Sequence, residues 1–373
     1  MGTYTARDRA RTALGCLAGS RQDSDSFRRE AMAILDRAIG VDGWGWLQLD
    51  PGAGMPIQES NENVVCDKEL RRFFRMMPQV WNVPGTPDGR PAPLGPAAGA
   101  LPVTTLSDAT GGDLHRDLIW REVFGPGGVG DKMRVQLTAG GTCWALLHLH
   151  RDISSEHYGE DEVEFAAAAA SLLAPRVRAD LRAPAPPGTD PAPEPGTIVL
   201  DEDLSLVAAT ELAWWWIDHL GAQAPNPDEP LPSVLYVVAT QVANSPERPR
   251  RPARVRLRAA DGSWMVIRVA PLATVSQVAA GYAVTLETAP AGELAPLLMR
   301  AWGLTPRERE VARLVIDGRS SEDIAAALFI SAHTARDHVR TMFGKVGVSR
   351  RQDLAATLTG RTPSPVSRWV TRT

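Results

Sequence analysis

LTPREREVARLVIDGRSSEDIAAALFISAHTARDHVRTMFGKVGVSRRQDLAATL, Leu304 to Leu358, reads as four short helices in a row, each with its own start signal. Thr305-Pro306-Arg307-Glu308 is a capping box with proline at the first helical position. The threonine oxygen takes an orphan amide and the glutamate reaches back. Val311, Leu314 and Val315 share one face, and Gly318 ends that helix where a left-handed residue is wanted. A second helix starts at Ser320 or Ser321, buries Ile324, Ala325 and Leu328, and breaks at Phe329-Ile330. Ser331 caps a third, whose apolar stripe is Ala335, Val339, Met342 and Val346, and Gly347 stops it. Ser349-Arg350-Arg351-Gln352 is a further capping box, opening a fourth helix that buries Leu354 and Leu358. The middle pair forms a helix-turn-helix, a shape suited to placing one helix in a DNA groove.

The faces of the third helix, 331–347, decide which residues meet DNA. With 335, 339, 342 and 346 turned inward, His333, Arg336, Asp337, Arg340, Thr341 and Gly344 point outward. Arg336 and Arg340 are neighbours on that face, and a guanidinium can hold the O6 and N7 of guanine in a bidentate pair. Asp337 either accepts from a cytosine amine or orients one of the two arginines. Arg309, Ser331, His333, Thr334, Lys345, Arg350 and Arg351 are read as phosphate or positioning contacts, which set register without reading sequence. From Ser331 to Thr373 the basic residues are Arg336, Arg340, Lys345, Arg350, Arg351, Arg361, Arg368 and Arg372, against only Asp337 and Asp353. In a chain of formal net charge -4, that local excess is the electrostatic footprint of a DNA-contacting end. Residues 361–373 form a basic tail that adds non-specific phosphate contacts or nothing.

The segment resembles the LuxR-type (GerE- or FixJ-type) DNA-binding domain of bacterial transcription regulators. The residues that carry the likeness are Leu304-Thr305-Pro306-Arg307-Glu308, Ile324-Ala325, Leu328, Ser331, Thr334, His338, Lys345 and Val348. The resemblance implies that Arg336, Asp337 and Arg340 face the major groove, in agreement with the helix geometry. Two positions depart from the family: Ala335 stands where valine is usual and Val346 where leucine is. Both shrink core side chains, loosening the packing by about 1 kcal/mol each.

A chain of 373 residues, 44% apolar, suffices for two or three cores, and some three hundred residues lie outside the helix-turn-helix segment. No apolar run approaches a membrane span, and MGTYTARDRARTAL has no apolar stretch of the secretory kind. Cys16, Cys66 and Cys143 are few and widely spaced, which fits a reducing cytoplasm and no disulfide framework. A cytoplasmic location is therefore expected. APAPPGTDPAPEPG, residues 183–196, carries six prolines and reads as a semi-rigid linker over 184–196. A second Pro/Gly-rich stretch, Pro84 to Pro102, reads as a long loop.

Before the linker, 1–183 mixes helix and strand and includes an N-terminal helix. Helices are expected over 27–39, 67–77, 113–123 and 159–181, and strands over 41–49 and 55–61. A hairpin joins 132–138 to 142–151 around Ala139-Gly140-Gly141. WALLHLHRD followed by GEDEVEFAAAAASLLAPRVRADLR resembles the end of a GAF domain. After the linker, 197–290 gives strands over 197–200, 204–208, 253–259, 263–270 and 280–288, with helices over 213–220 and 233–242. That element order is similar to a PAS-type sensor. The expected fold class is α+β multidomain: GAF-like and PAS-like α/β sensor domains, then an all-α four-helix helix-turn-helix domain over 297–360.

Other chemistry-bearing residues read mostly as structure. His148 and His150 share one face of a strand but lack a third ligand nearby, so no metal is expected. Trp214-Trp215-Trp216 point in different directions on a helix and read as core or interface packing. Trp44 and Trp46 share a face, as do Trp144 and Leu146, a plain core more often than a ligand pocket. Cys143 reads as packing rather than a redox or attachment point. There is no GxxxxGK[ST] loop, no receiver-type acidic cluster and no nucleophile elbow. No cofactor and no enzymatic activity are expected.

The sequence thus describes a regulator whose sensor halves, with room for a small-molecule ligand, control a DNA-binding end. The partners expected are duplex DNA, a second copy of the chain and RNA polymerase, and no membrane. Two recognition helices of a dimer would lie about 34 Å apart, with Leu354 and Leu358 as candidate interface residues. The alternative is a ligand or protein-interaction sensor whose helix-turn-helix is a docking module without sequence-specific DNA binding.

Overall fold

Thr5 caps the first helix, α1 (Ala6–Ala18), in a capping box with Asp8. Asp23 accepts the amides of Asp25 and Ser26 and so starts α2 (Ser24–Ile39) three residues before the expected Phe27. These coordinates are a computed structural model, which describes residues 5–62, 101–183, 194–221, 230–244, 252–273 and 281–361. The helix expected over 67–77, Cys66, most of the Pro84–Pro102 loop, linker residues 184–193 and the tail beyond Arg361 lie outside the described residues.

Five strands follow: β1 (Gly43–Asp50), β2 (Met55–Glu62), β3 (Val103–Thr105), β4 (Val129–Ala139) and β5 (Thr142–Asp152). They form one antiparallel sheet in the order β2-β1-β5-β4-β3. A short helix, α3 (Leu106–Thr110), and the long α4 (Glu160–Asp180) complete the module. Trp44, Trp46, Met133, Val135, Leu147 and Leu149 turn to one side and pack on α1, α2 and α4 through Leu14, Phe27, Leu35, Phe165 and Leu173.

Two expectations fail here for local reasons. Residues 113–123 are not one helix but a 3-10 turn at Leu114–Arg116 and a π-type turn at Trp120–Phe124. The Asp117 carboxylate accepts the Trp120 amide at 2.7 Å and restarts the chain between them, while the Trp120 indole donates to the Val129 carbonyl at 2.8 Å. Trp144 and Leu146 do not share a face: Trp144 packs with the helices and Leu146 on the opposite side. Leu137 pairs with Ala145 but Thr138 with Cys143, so Trp144 is the extra residue of a β-bulge, which breaks the alternation.

The second half repeats the plan. β6 (Gly196–Leu200), β7 (Leu206–Ala209), β8 (Ala253–Arg258), β9 (Trp264–Pro271) and β10 (Tyr282–Thr288) form an antiparallel sheet in the order β7-β6-β10-β9-β8, with α5 (Glu211–Leu220) and α6 (Ser233–Ala243) between β7 and β8. Counted within each sheet, both strand orders are 2-1-5-4-3. Of the three consecutive tryptophans on α5, Trp216 is buried in this core while Trp214 and Trp215 stay partly exposed. Trp215 stacks on His219 with ring centroids 3.5 Å apart.

The two sheets share a core. Leu47, Leu49, Met55, Ile57 and Leu146 of the first pack in one cluster with Leu235 and Val238 of α6 and with Val255, Leu257 and Ile267 of the second. At this junction Asp50, fully buried, accepts from Arg256 Nε at 2.8 Å, from Arg256 Nη2 at 2.7 Å and from the Arg256 amide at 3.0 Å. Gly52 is required beside it, since any Cβ there would run into the Arg256 guanidinium.

One more helix, α7 (Ala291–Ala301), joins this block to the C-terminal end. Leu294, Leu297 and Leu298 enter the core beneath the first sheet, while Ala295 and Met299 enter the next one. The boundary expected between 290 and 297 therefore falls inside a helix that serves both sides. Beyond it come α8 (Pro306–Ile316), α9 (Ser321–Leu328), α10 (Ala332–Val346) and α11 (Arg351–Leu358).

Candidate nucleic-acid interface

Short-range hydrogen bonds place α10. The α8 start is a closed capping box: Thr305 Oγ1 accepts the Glu308 amide at 3.2 Å and the Thr305 amide donates to Glu308 Oε2 at 2.7 Å. Ser320 makes the same box with Asp323 at the head of α9. Phe329 then takes the left-handed conformation at φ 54° and turns the chain into Ser331, whose Oγ accepts the Thr334 amide at 3.0 Å. Ala335, Val339, Met342 and Val346 are buried against Val311, Val315, Ile324 and Leu354, so the opposite face of α10 has to meet solvent. The two small family departures, Ala335 and Val346, both sit within that core.

On the outer face the structure brings Arg336, Asp337, Arg340 and His333 together. Asp337 lies 3.3 Å from the His333 imidazole and 4.0 Å from Arg340. Arg336 reaches back to Glu322 on α9 at 3.2 Å. Glu322 had no visible role in the sequence, because only the helix-turn-helix crossing carries it next to α10. Its own amide and then Arg336 hold its carboxyl below the usual range. The pair is exposed, so it orients Arg336 weakly and is readily exchanged for another anion.

The residues expected to position DNA divide. Ser331, His333, Thr334 and Arg350 are exposed and Arg309 is half-buried. Lys345 is committed within the domain: its Nζ lies 2.6 Å from Glu308 Oε2, tying the last turn of α10 to the first turn of α8. Burial pushes the Glu308 carboxyl up, but Lys345 and the Thr305 amide outweigh it and hold the group below its ordinary value. Arg351 donates to the Arg319 carbonyl, bracing α11 against the α8–α9 turn.

Two further expectations are corrected. The capping box at Ser349 does not form; Arg350 occupies the N-cap position of α11 without a side-chain hydrogen bond. Leu354 and Leu358 are fully buried within the chain's own core, so they are not available as a dimer interface. A helix of only 8 residues seated on α8 and α10 has to spend its large apolar side chains on that contact. The large apolar side chain left outside is Phe329, 95% exposed at the helix-turn-helix corner, where the sequence marked only a helix break.

In the first sheet, His148 and His150 do lie on one face of β5, opposite Arg134 and Lys132 of β4 and opposite Gly45 and Gly43 of β1. Burial, and then Lys132, lower both imidazoles, His150 to about 3 and His148 well below the ordinary value. Among the described residues no group of three or more His, Cys, Asp or Glu is placed to hold a metal ion. No described helix is long and apolar enough to cross a membrane. Burial pushes the Cys143 thiol up to about 11, which leaves it protonated and unreactive.

Residues 303–358 match the family of bacterial regulatory proteins, luxR family. The C-terminal end is thus a LuxR-type helix-turn-helix domain. Over 56 residues the chain is 46% identical to proteins of Mycobacterium bovis and Mycobacterium tuberculosis named as HTH-type transcriptional regulators. That alignment covers 15% of this chain and only 6% of each relative's length. Among solved structures the chain is similar to the VqmA–ligand–DNA complex of Vibrio cholera, at 15% identity over 45% of this chain and 84% of that one, with a TM-score of 0.21. It is also similar to the phage VqmA–DPO complex, at 19% identity over 44% and 81%, with a TM-score of 0.18.

Proposed function

We propose that this protein is a cytoplasmic, sequence-specific transcription regulator that binds a pseudo-palindromic DNA site as a homodimer. The observation that carries this is the outer face of α10. It presents Arg336, Asp337 and Arg340 side by side on a helix whose other face is locked into a core. In this reading Arg336 and Arg340 bind guanine edges, and Asp337 aligns Arg340. Arg309, Ser331, His333, Thr334 and Arg350 contact phosphates. RNA polymerase as a partner follows from the regulator reading alone.

The two modules ahead of it are GAF-like and PAS-like sensors without catalytic activity of their own. Their common 2-1-5-4-3 strand order supports this, as does the helical cover on one face of the first sheet. An effector acts on the part of the other face of the first sheet around His148 and His150, where among the described residues the buried His150 imidazole has no hydrogen-bond partner.

A gel-shift titration across salt tests the DNA reading. Binding of the parent weakens steeply as salt rises, because phosphate contacts release counterions. Arg336→Ala with Arg340→Ala removes sequence preference, costing roughly 1–3 kcal/mol per arginine. Parent-like binding by the double variant rules out α10 as the reading helix. The docking-module alternative requires no sequence preference even in the parent.

A further inference from the structure

A cleft of about 1000 Å3 lies where the sensor block meets the helix-turn-helix domain. It is walled by the β1–β2 turn, the β4–β5 turn, the end of α4, the end of α7 and the start of α8. Arg178, Arg182, Arg300, Arg309 and Lys345 line it, and among the described residues no carboxylate does. In a chain of net charge -4 this is a strong local reversal of sign. Lys345 is offset by Glu308 at 2.6 Å; for the four arginines no carboxylate lies within ion-pair distance among the described residues.

From this arrangement we infer that the cleft is a binding site for a small molecule carrying several phosphate groups, held jointly by the sensor block and the helix-turn-helix domain. Guanidiniums match phosphate oxygens in bidentate geometry, and clustered ones repel each other until an anion sits among them. Burial and then Arg309 lower Arg300 despite Asp50 nearby, and burial and then Arg178 lower Arg182, so each disfavours its charge as long as no anion is present. The volume is at the upper end of the roughly 300–1000 Å3 of small-molecule sites. Duplex DNA is the poorer occupant, because Arg178 comes from α4, Arg182 from the turn just after it and Arg300 from α7, in a concave junction rather than on the exposed face that carries Arg336 and Arg340.

The site is built to couple. Arg178 Nε donates to the Ala301 carbonyl at 3.0 Å, and its guanidinium lies between Gly140 and Gly303. At Gly303, with φ +71°, an added Cβ would come within 2.9 Å of it. An anion held between Arg178 and Arg182 on one side and Arg309 on the other clamps α8 onto the sensor. By linkage, whatever factor it imposes on DNA affinity, DNA imposes on its own binding.

The test is isothermal titration calorimetry of the full chain with sodium triphosphate at constant ionic strength, with unfolding temperatures recorded for every variant. The parent binds saturably at one site. Arg182→Gln with Arg309→Gln weakens binding by at least about tenfold, since each removes a charge-assisted contact. Arg300→Gln repeats the test from a third element if that pair unfolds. Arg336→Ala with Arg340→Ala binds triphosphate like the parent. Absence of saturable binding, a folded neutral variant that binds like the parent, or loss of binding in the α10 variant overturns the proposal. Because the titration contains no DNA, its failure leaves the DNA reading standing.

Discussion

In the helix-turn-helix domain the bonds that decide the structure join near neighbours: Thr305 with Glu308, Ser320 with Asp323, Ser331 with Thr334. In the sensor block they reach across the chain. Asp50 holds Arg256, Ser24 bonds Asp180, and Arg178 bonds the Ala301 carbonyl, at separations of 206, 156 and 123 residues. The difference teaches where damage should spread. A capping bond serves one helix end, whereas a long-range buried bond holds two or three elements at once. Local bonds also form from any conformation in which the neighbours are helical, but Asp50 and Arg256 are paired only after both sheets have formed.

The strongest way to break this contrast is Asp50→Ala. It leaves the Arg256 guanidinium buried without its partner and should cost about 3–5 kcal/mol. Chemical denaturation should show an early transition of the sensor block, with α8–α11 keeping their helical signal; a single transition involving the whole chain would show that the two regions are not separable. Next comes Lys345→Ala, which strips the buried Glu308 carboxylate of its cation within the local region. We expect a loss of roughly 1–3 kcal/mol in the helix-turn-helix domain and little change in the sensor. A ΔΔG near zero would mean that the Thr305 cap alone satisfies Glu308.

Ser331→Ala removes a single cap and should cost about 1 kcal/mol, read as fraying of α10 by amide exchange confined to its first turn. Protection lost beyond α10 would contradict the local picture. The last test is acid. His150 and His148 have folded pKa values lowered from 6.5, so the folded state favours their neutral forms. Their contribution is present above the unfolded pKa and declines as pH falls from there toward about 3 for His150. A drop from neutral to about pH 5.5 should cost the sensor roughly 1 kcal/mol per histidine and leave the C-terminal domain unaffected. Replacing both histidines with glutamine should flatten that slope.

The contrast also explains what could be read in advance. Thr305, Ser320 and Ser331 announced three helix starts because each cap is satisfied within its own turn. Ser349 failed as a cap because α11 is placed by seating Leu354 and Leu358 on the core. The strands of both sheets except the three-residue β3 were legible, yet their order was not, since pairing partners lie far apart in the chain. Helix α7 was hidden by Pro296 in its middle, a residue that usually ends a helix; burial of Leu294, Leu297 and Leu298 on one side and Met299 on the other holds it together. Among the residues expected to face DNA, exposure of Arg336 and Arg340 followed from the stripe beneath them. The internal ties of Lys345 and Arg351 did not, because their partners belong to other helices.

By itself the sequence determined the helix-turn-helix and the outward face of α10, since a 3.6-residue period and neighbouring caps are written in consecutive residues. It also determined the strand-rich character of the sensor halves. Only the tertiary structure decided that the two sheets share one core through Asp50 and Arg256, that Leu354 and Leu358 are spent inside the domain, and that four arginines, three on different helices and Arg182 just past α4, line one cleft. Burial and charge crowding are properties of packed surfaces, and residues hundreds of positions apart acquire them only when the chain has folded.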